Sequence, residues 1–240
     1  MDDVADPFFT LHQDLPREGP GEPADVAWAA GVAGLKPGAL MADVGCGPGA
    51  DIGSLLAAAP QGHVTALDKV PHFVAAARQA WGGDGRVTVL KADMARIANR
   101  YDMIWCAGAV YFLGVTQALT MWRKSLLPGG CVAFSQVCWF TDQPSARAKA
   151  FWGTEYPAMT DEAGVAAQIA AAGYDVLGTR RLSDAAWEGY FGPIDARIAA
   201  LRPKADDALR VVLDEAAEEA AVWRAHRAEF GYVLNVVRPA

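Results

Sequence analysis

The strongest constraint on how this chain folds is a rhythm. Between residues 35 and 140 five apolar runs recur, "ALMADVG", "HVTALDK", "RVTVLKAD", "YDMIWCAGAV" and "GCVAFSQVCWF". Three of the intervening segments, "ADIGSLLAAAP", "PHFVAAARQAW" and "TQALTMWRKSL", have the length and period of helices. Runs that are apolar at nearly every position, rather than at alternate ones, belong to strands buried on both faces. Strands alternating with helices of about ten residues build parallel βαβ units, so the pattern predicts an α/β chain with a doubly wound, mostly parallel sheet.

The rest of the chain is read around that frame. A helix "ADVAWAAGVAGL" closed by "KPG" precedes the first strand. The helix "EAGVAAQIAAAG", the strand "YDVLGTRRL" and a final strand "YVLNVVRP" follow the fifth run, with an Ala-rich, charged and helical stretch from about Ile194 to Glu229 between the last two. Residues 1–23, with "DLPREGPGEP", show no period and read as an irregular arm. Residues 141–160, with "FWGTEYPAMT", are an aromatic-rich insertion. The 240 residues suit a single domain, 1–240.

Composition excludes several classes. Hydrophobic residues make up 52% and charged residues 20%, a globular balance. No apolar run approaches the roughly 20 residues that span a bilayer, and the opening "MDDVADPFF" is acidic where a secretory leader is basic, so a cytoplasmic protein without membrane partners is expected. Cys46, Cys106, Cys131 and Cys138 each sit in an apolar stretch and read as reduced core residues. His12, His63, His72 and His226 are scattered without ligand spacing, and no metal is predicted. Lysines and arginines total 21 against 28 acids, a net charge of −7, with no basic stripe to follow a nucleic acid.

The first strand ends in "MADVGCGPGAD". Glycines between a strand and a helix let the backbone approach a ligand closely, and Gly45, Gly47 and Ala50 satisfy the permissive G-x-G-x-x-A form of a dinucleotide site. Asp43 argues for something else: an acid beside the loop repels a pyrophosphate and suits a cofactor bearing positive charge, such as a sulfonium or an amino group. Asp68 closes the second strand and can accept from both ribose hydroxyls, as in any adenosine cofactor. Asp93 closes the third, where a carboxylate can accept from an adenine amine while Met94 lines the ring. From these residues alone an NAD(P)-dependent oxidoreductase and a non-catalytic cofactor-binding regulatory protein remain as alternatives.

The series "DVGCGPG", "ALDK", "KADM", "YDMIWCAGAV" and "LLPGG", from about Leu35 to Gln136, is similar to the class I S-adenosylmethionine-dependent methyltransferases. The resemblance implies a Rossmann-like sheet of seven strands whose last is antiparallel and inserted beside the sixth. It implies that Gly45, Gly47 and Gly49 pack on S-adenosylmethionine, that Asp68, followed by Lys69, holds the ribose, that Asp93 and Met94 hold the adenine, and that Asp43 lies near the methionine moiety. S-adenosylhomocysteine is the implied product. "LPREGPG", "GAVYFLG" and "CWFTDQPSARAKAFWGTEYP" resemble a subgroup of bacterial small-molecule methyltransferases without an assigned substrate. In that subgroup an acid commonly stands where this chain has Ala107, and a threonine or similar residue where it has Asp51.

Methyl transfer from a sulfonium is an in-line displacement that needs positioning first and a base only for a hydroxyl or a protonated amine. In a doubly wound fold the acceptor site lies above the carboxyl ends of the strands, with the insertion and the connection at 183–230 over it. Tyr111 is a candidate to orient the acceptor. Glu155 is a candidate base provided that the aromatic insertion buries it, and Trp139 and Trp152 are candidate walls. Arg17 and the "GPG" after it suggest an arm that folds over the cofactor and pairs with its carboxylate. The chain reads "CAGAVY" where nucleic-acid base methylases carry N-P-P-Y or Pro-Cys, so the acceptor is expected to be a small molecule, acted on by a monomer or homodimer.

Overall fold

The computed structural model describes residues 6–240, so residues 1–5 of the expected arm lie outside the described residues. Every apolar run of the rhythm becomes a strand: β1 (Leu40–Val44), β2 (His63–Asp68), β3 (Val87–Lys91), β4 (Tyr101–Cys106) and β5 (Leu126–Trp139), followed by β6 (Tyr174–Arg181) and β7 (Phe230–Pro239). The sheet order is β3-β2-β1-β4-β5-β7-β6. Pairings from β3 to β5 are parallel, whereas β7 runs antiparallel to both β5 and β6. The last strand is thus the reversed one and lies beside the sixth, as the resemblance implied.

The order reverses between β1 and β4, the place where ligands settle in open α/β sheets. Register aligns the carboxyl ends there, Val44 beside Leu67 of β2 and Asp43 beside Trp105 of β4.

Helices α2 (Pro23–Ala33) and α3 (Ile52–Ala58) cover one face of the sheet, burying Val26, Ala29, Ile52 and Leu55 against Met41, Met103 and Trp105. Helix α4 (Pro71–Trp81) adds Trp81 to that layer. On the other face α5 (Val115–Trp122) and α7 (Glu162–Ala171) pack Leu119, Trp122, Val165 and Ile169 on Ile104, Val132 and Phe134. A third core lies beyond the ends of β5 and β7. It is built by α1 (Pro7–His12), α6 (Ala146–Glu155), α8 (Asp184–Leu201) and α9 (Asp207–His226) around stacked Trp187 and Trp223, whose ring centroids are 5.1 Å apart.

Three expectations change in detail. The arm is not irregular throughout: Asp6 accepts the Phe8 N–H at 2.9 Å and Pro7 occupies the first turn, so α1 forms over six residues. Six residues are too few to show a period, and α1 depends on tertiary support. Leu11 is fully buried, and Arg197 of α8 donates to the Thr10 carbonyl at 2.6 Å. The aromatic insertion contains α6, capped by Ser145, which accepts from the Ala148 N–H. The long helical stretch begins ten residues earlier than Ile194 and is two helices. The chain turns at Arg202–Lys204, and Asp206 caps α9 by accepting from the Leu209 N–H at 2.8 Å.

The four cysteines are free and buried, and burial raises each thiol pKa. Among the described residues no group of three or more His, Cys, Asp or Glu is placed to hold a metal, and no helix is long and apolar enough to cross a membrane.

Candidate functional site

A cavity of about 670 Å³ opens at the carboxyl ends of β1, β2 and β4 and extends under the third core. Its floor is the glycine loop. Gly45, Gly47 and Gly49 all have positive φ, at +73°, +53° and +90°, a region that L side chains rarely adopt. The Gly45 and Cys46 N–H groups both donate to the Leu67 carbonyl, at 2.8 and 3.1 Å, which curls the loop over the end of β2. A Cβ at Gly45 would lie 2.8 Å from the Ala109 Cβ. Gly45 and Gly47 line the cavity, whereas Gly49 faces away from it. A Cβ at Gly49 would meet Ile52 and Trp81 at 2.9 and 3.0 Å, and Trp81 Nε1 donates to its carbonyl at 3.1 Å.

The three strand-end acids surround this loop. Asp43 is 2% exposed, and its Oδ2 is buried without a partner. Burial, then the negative charges of Asp51 and Asp68, hold its pKa well above the usual carboxylate range, with Arg17 opposing. Asp68 accepts the Gly47 N–H at 3.0 Å and the Val70 N–H at 2.8 Å. A carboxylate has about four acceptor positions, so two remain. Asp93 uses one oxygen to accept the Ala95 N–H at 2.9 Å. Met94 lines the cavity beside it, anchored by Trp122 Nε1 on its carbonyl at 2.7 Å. Lys69 is exposed on the rim, its Nζ 5.4 Å from the Phe112 ring centroid.

Asp51 stands at the position before α3, yet makes no capping bond. Its carboxylate is buried and accepts from Trp105 Nε1 at 2.9 Å, and it faces Arg17 at 3.5 Å. It therefore ties the loop to β4 and to the arm, a role that depends on β1 and β4 being neighbours in the sheet. Ala107 also lines the cavity.

The arm forms the opposite wall. Phe8, Phe9, His12, Arg17 and Glu18 line the cavity. Glu18 Cγ lies 3.3 Å from where a Gly47 Cβ would stand. His12 Nδ1 pairs with Glu18 Oε2, while Glu18 Oε1 is buried without a partner. Burial raises the Glu18 pKa, with His12 opposing.

Farther in, the wall comes from four separate elements. Tyr111, on the 3-10 turn Val110–Phe112, faces the cavity together with Tyr190 of α8, Glu219 of α9 and Tyr232 of β7. Burial first, then the Glu219 charge, push the Tyr111 hydroxyl up to about 12. Burial likewise holds Tyr190 and Tyr232 well above the ordinary tyrosine value. Glu219 is pushed up to about 7 by burial and then by the charge of Glu155, with His12 opposing.

Glu155 lines the cavity but is exposed, so the insertion does not meet the condition that would make it a base. Arg147, also on α6, pairs with Glu218 at 2.8 Å. Trp152 lines the cavity, whereas Trp139 packs on Phe230 outside it.

The sequence reading missed Glu219, which sits in "DEAAEEAAVWRAH" among acids typical of a solvated helix face. Its signal was the period: Val212, Ala216, Glu219 and Trp223 fall on one stripe at i, i+4, i+7 and i+11, and Trp223 is buried.

Residues 41–130 match a family model described as "Methyltransferase domain". Trans-aconitate 2-methyltransferase of Streptomyces avermitilis is 38% identical over 117 residues, which cover 45% of this chain and 42% of that protein. The chain spans less than half the length of the curated relatives it matches. A SAM-dependent methyltransferase of Geobacter sulfurreducens, solved with S-adenosyl-L-homocysteine, superposes with a TM-score of 0.82 at 20% identity over 100% of both chains. One of Thiobacillus denitrificans, solved with the same molecule, superposes with a TM-score of 0.80 at 19% identity over 99% of this chain and 100% of that one. Residues 41–130, which carry the glycine loop and its three acids, are thus similar to a methyltransferase domain, within a chain that has the fold of solved S-adenosylmethionine-dependent methyltransferases.

Proposed function

We propose that this chain is an enzyme that transfers a methyl group from S-adenosylmethionine to a small molecule held between the arm and α9. The observation that carries the reading is Asp43, a buried carboxylate whose Oδ2 has no partner, on the wall of a cavity floored by Gly45 and Gly47. Such a group is costly to ionise in the free protein and fits a ligand that brings positive charge. The cofactor supplies an electrophilic methyl group on a sulfonium. The protein's part is to bind and orient: Asp68 offers its two remaining acceptor positions to ribose hydroxyls, Asp93 offers an oxygen to an adenine amine, and Met94 packs on the ring. Arg17 spans only 3.5 Å to Asp51 and keeps donors for a carboxylate.

Calorimetry tests this reading. S-adenosylhomocysteine should bind the wild type and lose about 1.5 to 3 kcal/mol per lost hydrogen bond in Asp68→Ala, a weakening of roughly tenfold to a hundredfold. Tighter binding of NADH, or equal weak heats from both proteins, would contradict it.

The name of the Streptomyces avermitilis relative points to a tricarboxylate acceptor. This cavity does not favour one. Its cationic lining groups among the described residues are His12, Arg17 and Lys69. His12 is engaged by Glu18, Arg17 is taken by the cofactor's carboxylate in the reading above, and Lys69 stands over Phe112 on the rim.

A further inference from the structure

We infer that the methyl acceptor is an amine that enters as an ammonium ion, held by the Glu219 carboxylate inside a box formed by Tyr111, Tyr190, Tyr232, Phe151 and Trp152. The inference rests on the methyl-transfer reading above and names the acceptor class for that same site.

Three observations carry it. Glu219 is half-buried, lines the cavity, and has no side-chain hydrogen-bond partner among the described residues, so its carboxylate is left for a ligand in the cavity. A carboxylate in that position is completed by a donor that the ligand brings. The walls around it are mainly aromatic faces and neutral hydroxyls, with His12 held by Glu18, and among the described residues the cavity's arginine and lysine, Arg17 and Lys69, face Asp51 and the Phe112 ring. Aromatic faces with an acid attract a cation, and the acid repels an anion. Finally, Asp43 feels the charges of Asp51, Asp68 and Arg17, while Glu219 feels those of Glu155 and His12. The two unpartnered acids therefore belong to separate ends, one for the cofactor and one for the acceptor.

The chemistry balances. The ammonium N–H proton passes to the Glu219 carboxylate, which leaves a free amine lone pair. That pair forms the new N–C bond to the methyl carbon as the S–CH3 bond breaks and its electron pair returns to sulfur. The products are a methylammonium, a neutral thioether and a protonated Glu219. Burial and the Glu155 charge set Glu219 at about 7, suited to taking that proton near neutrality.

The test uses the full chain saturated with S-adenosylhomocysteine, titrated calorimetrically at pH 8 with phenethylamine, 2-phenylethanol and 3-phenylpropanoate as probes. Phenethylamine should bind at least tenfold more tightly than 3-phenylpropanoate, with the alcohol between them. The preference should vanish in Glu219→Gln, in which S-adenosylhomocysteine still binds. A second measurement needs no variant: the wild-type preference should shrink at pH 5.5 as Glu219 protonates, with His12, Glu18, Glu155, Tyr111, Tyr190 and Tyr232 as the titratable groups facing it. Equal or tighter binding of the carboxylate, binding of none of the three, or a preference that survives in Glu219→Gln overturns the inference. Failure of S-adenosylhomocysteine to bind the wild type overturns the methyl-transfer reading instead, so the two failures are distinct.

Discussion

The two ends of the cavity are built on different principles. At the cofactor end, Asp43, Asp68 and Asp93 fall within 51 residues, each at or just beyond the end of a parallel strand, and backbone N–H groups already hold Asp68 and Asp93. At the acceptor end, Tyr111, Tyr190, Glu219 and Tyr232 come from four elements, and among the described residues their side chains make no hydrogen bond to the protein. One end is dictated by local backbone geometry. The other is assembled only when α1, α8 and α9 close over the sheet. An end fixed by backbone should tolerate little change, whereas an end fixed by packing can be altered one side chain at a time.

The largest effect should come from attacking the backbone-built end. Gly45→Val places a β-branched residue at a φ of +73° with Ala109 in the way. Strain and overpacking together should cost about 3 kcal/mol or more, read by denaturant unfolding, and should abolish S-adenosylhomocysteine binding. A variant as stable as wild type would mean that the loop is not held in this conformation.

Next is Glu219→Gln, which addresses the packed end through pH. Glu219 has a raised folded pKa of about 7, so between roughly 4.5 and 7 the native state holds a proton that the unfolded chain has lost. Its contribution is present at low pH and is lost as pH rises through that window. Replacing it with Gln should leave thermal stability equal near pH 4 and raise it by at most about 3 kcal/mol at pH 8. A stability difference that does not change with pH would separate Glu219 from the titration assigned to it.

Asp51→Ala should cost about 1 to 2 kcal/mol, because Trp105 Nε1 loses its acceptor. It should also bring the Asp43 pKa closer to its ordinary value by removing a nearby charge. The smallest effect belongs to Glu155→Gln: its exposed carboxylate predicts a stability change under about 0.5 kcal/mol.

The same contrast explains what could be read from the sequence. Strand runs, glycines and strand-end acids are local, and all seven strands appear where the apolar pattern places them. Gly49 was assigned to the cofactor with its neighbours because spacing cannot say which way a glycine faces, and only the packing of Trp81 separates it from Gly45 and Gly47. The role of Asp51 shows only once β4 lies beside β1 and brings Trp105 to it. Helix α1 is too short for periodicity, and Glu219 is masked by surrounding acids although it lies on the α9 stripe that ends in buried Trp223. In each case the missing information is a contact between residues distant in the chain.

The central claim, that Asp43 waits for a positively charged cofactor, is tested most directly by calorimetry of S-adenosylmethionine binding in buffers of different ionisation enthalpy. Because burial and the Asp51 and Asp68 charges hold Asp43 protonated above the usual range, binding of a cation should expel that proton. The account predicts net proton release on binding, affinity that rises with pH, and loss of both in Asp43→Asn. Binding with no proton exchange, or an Asp43→Asn variant that binds with the wild-type pH dependence, would contradict it.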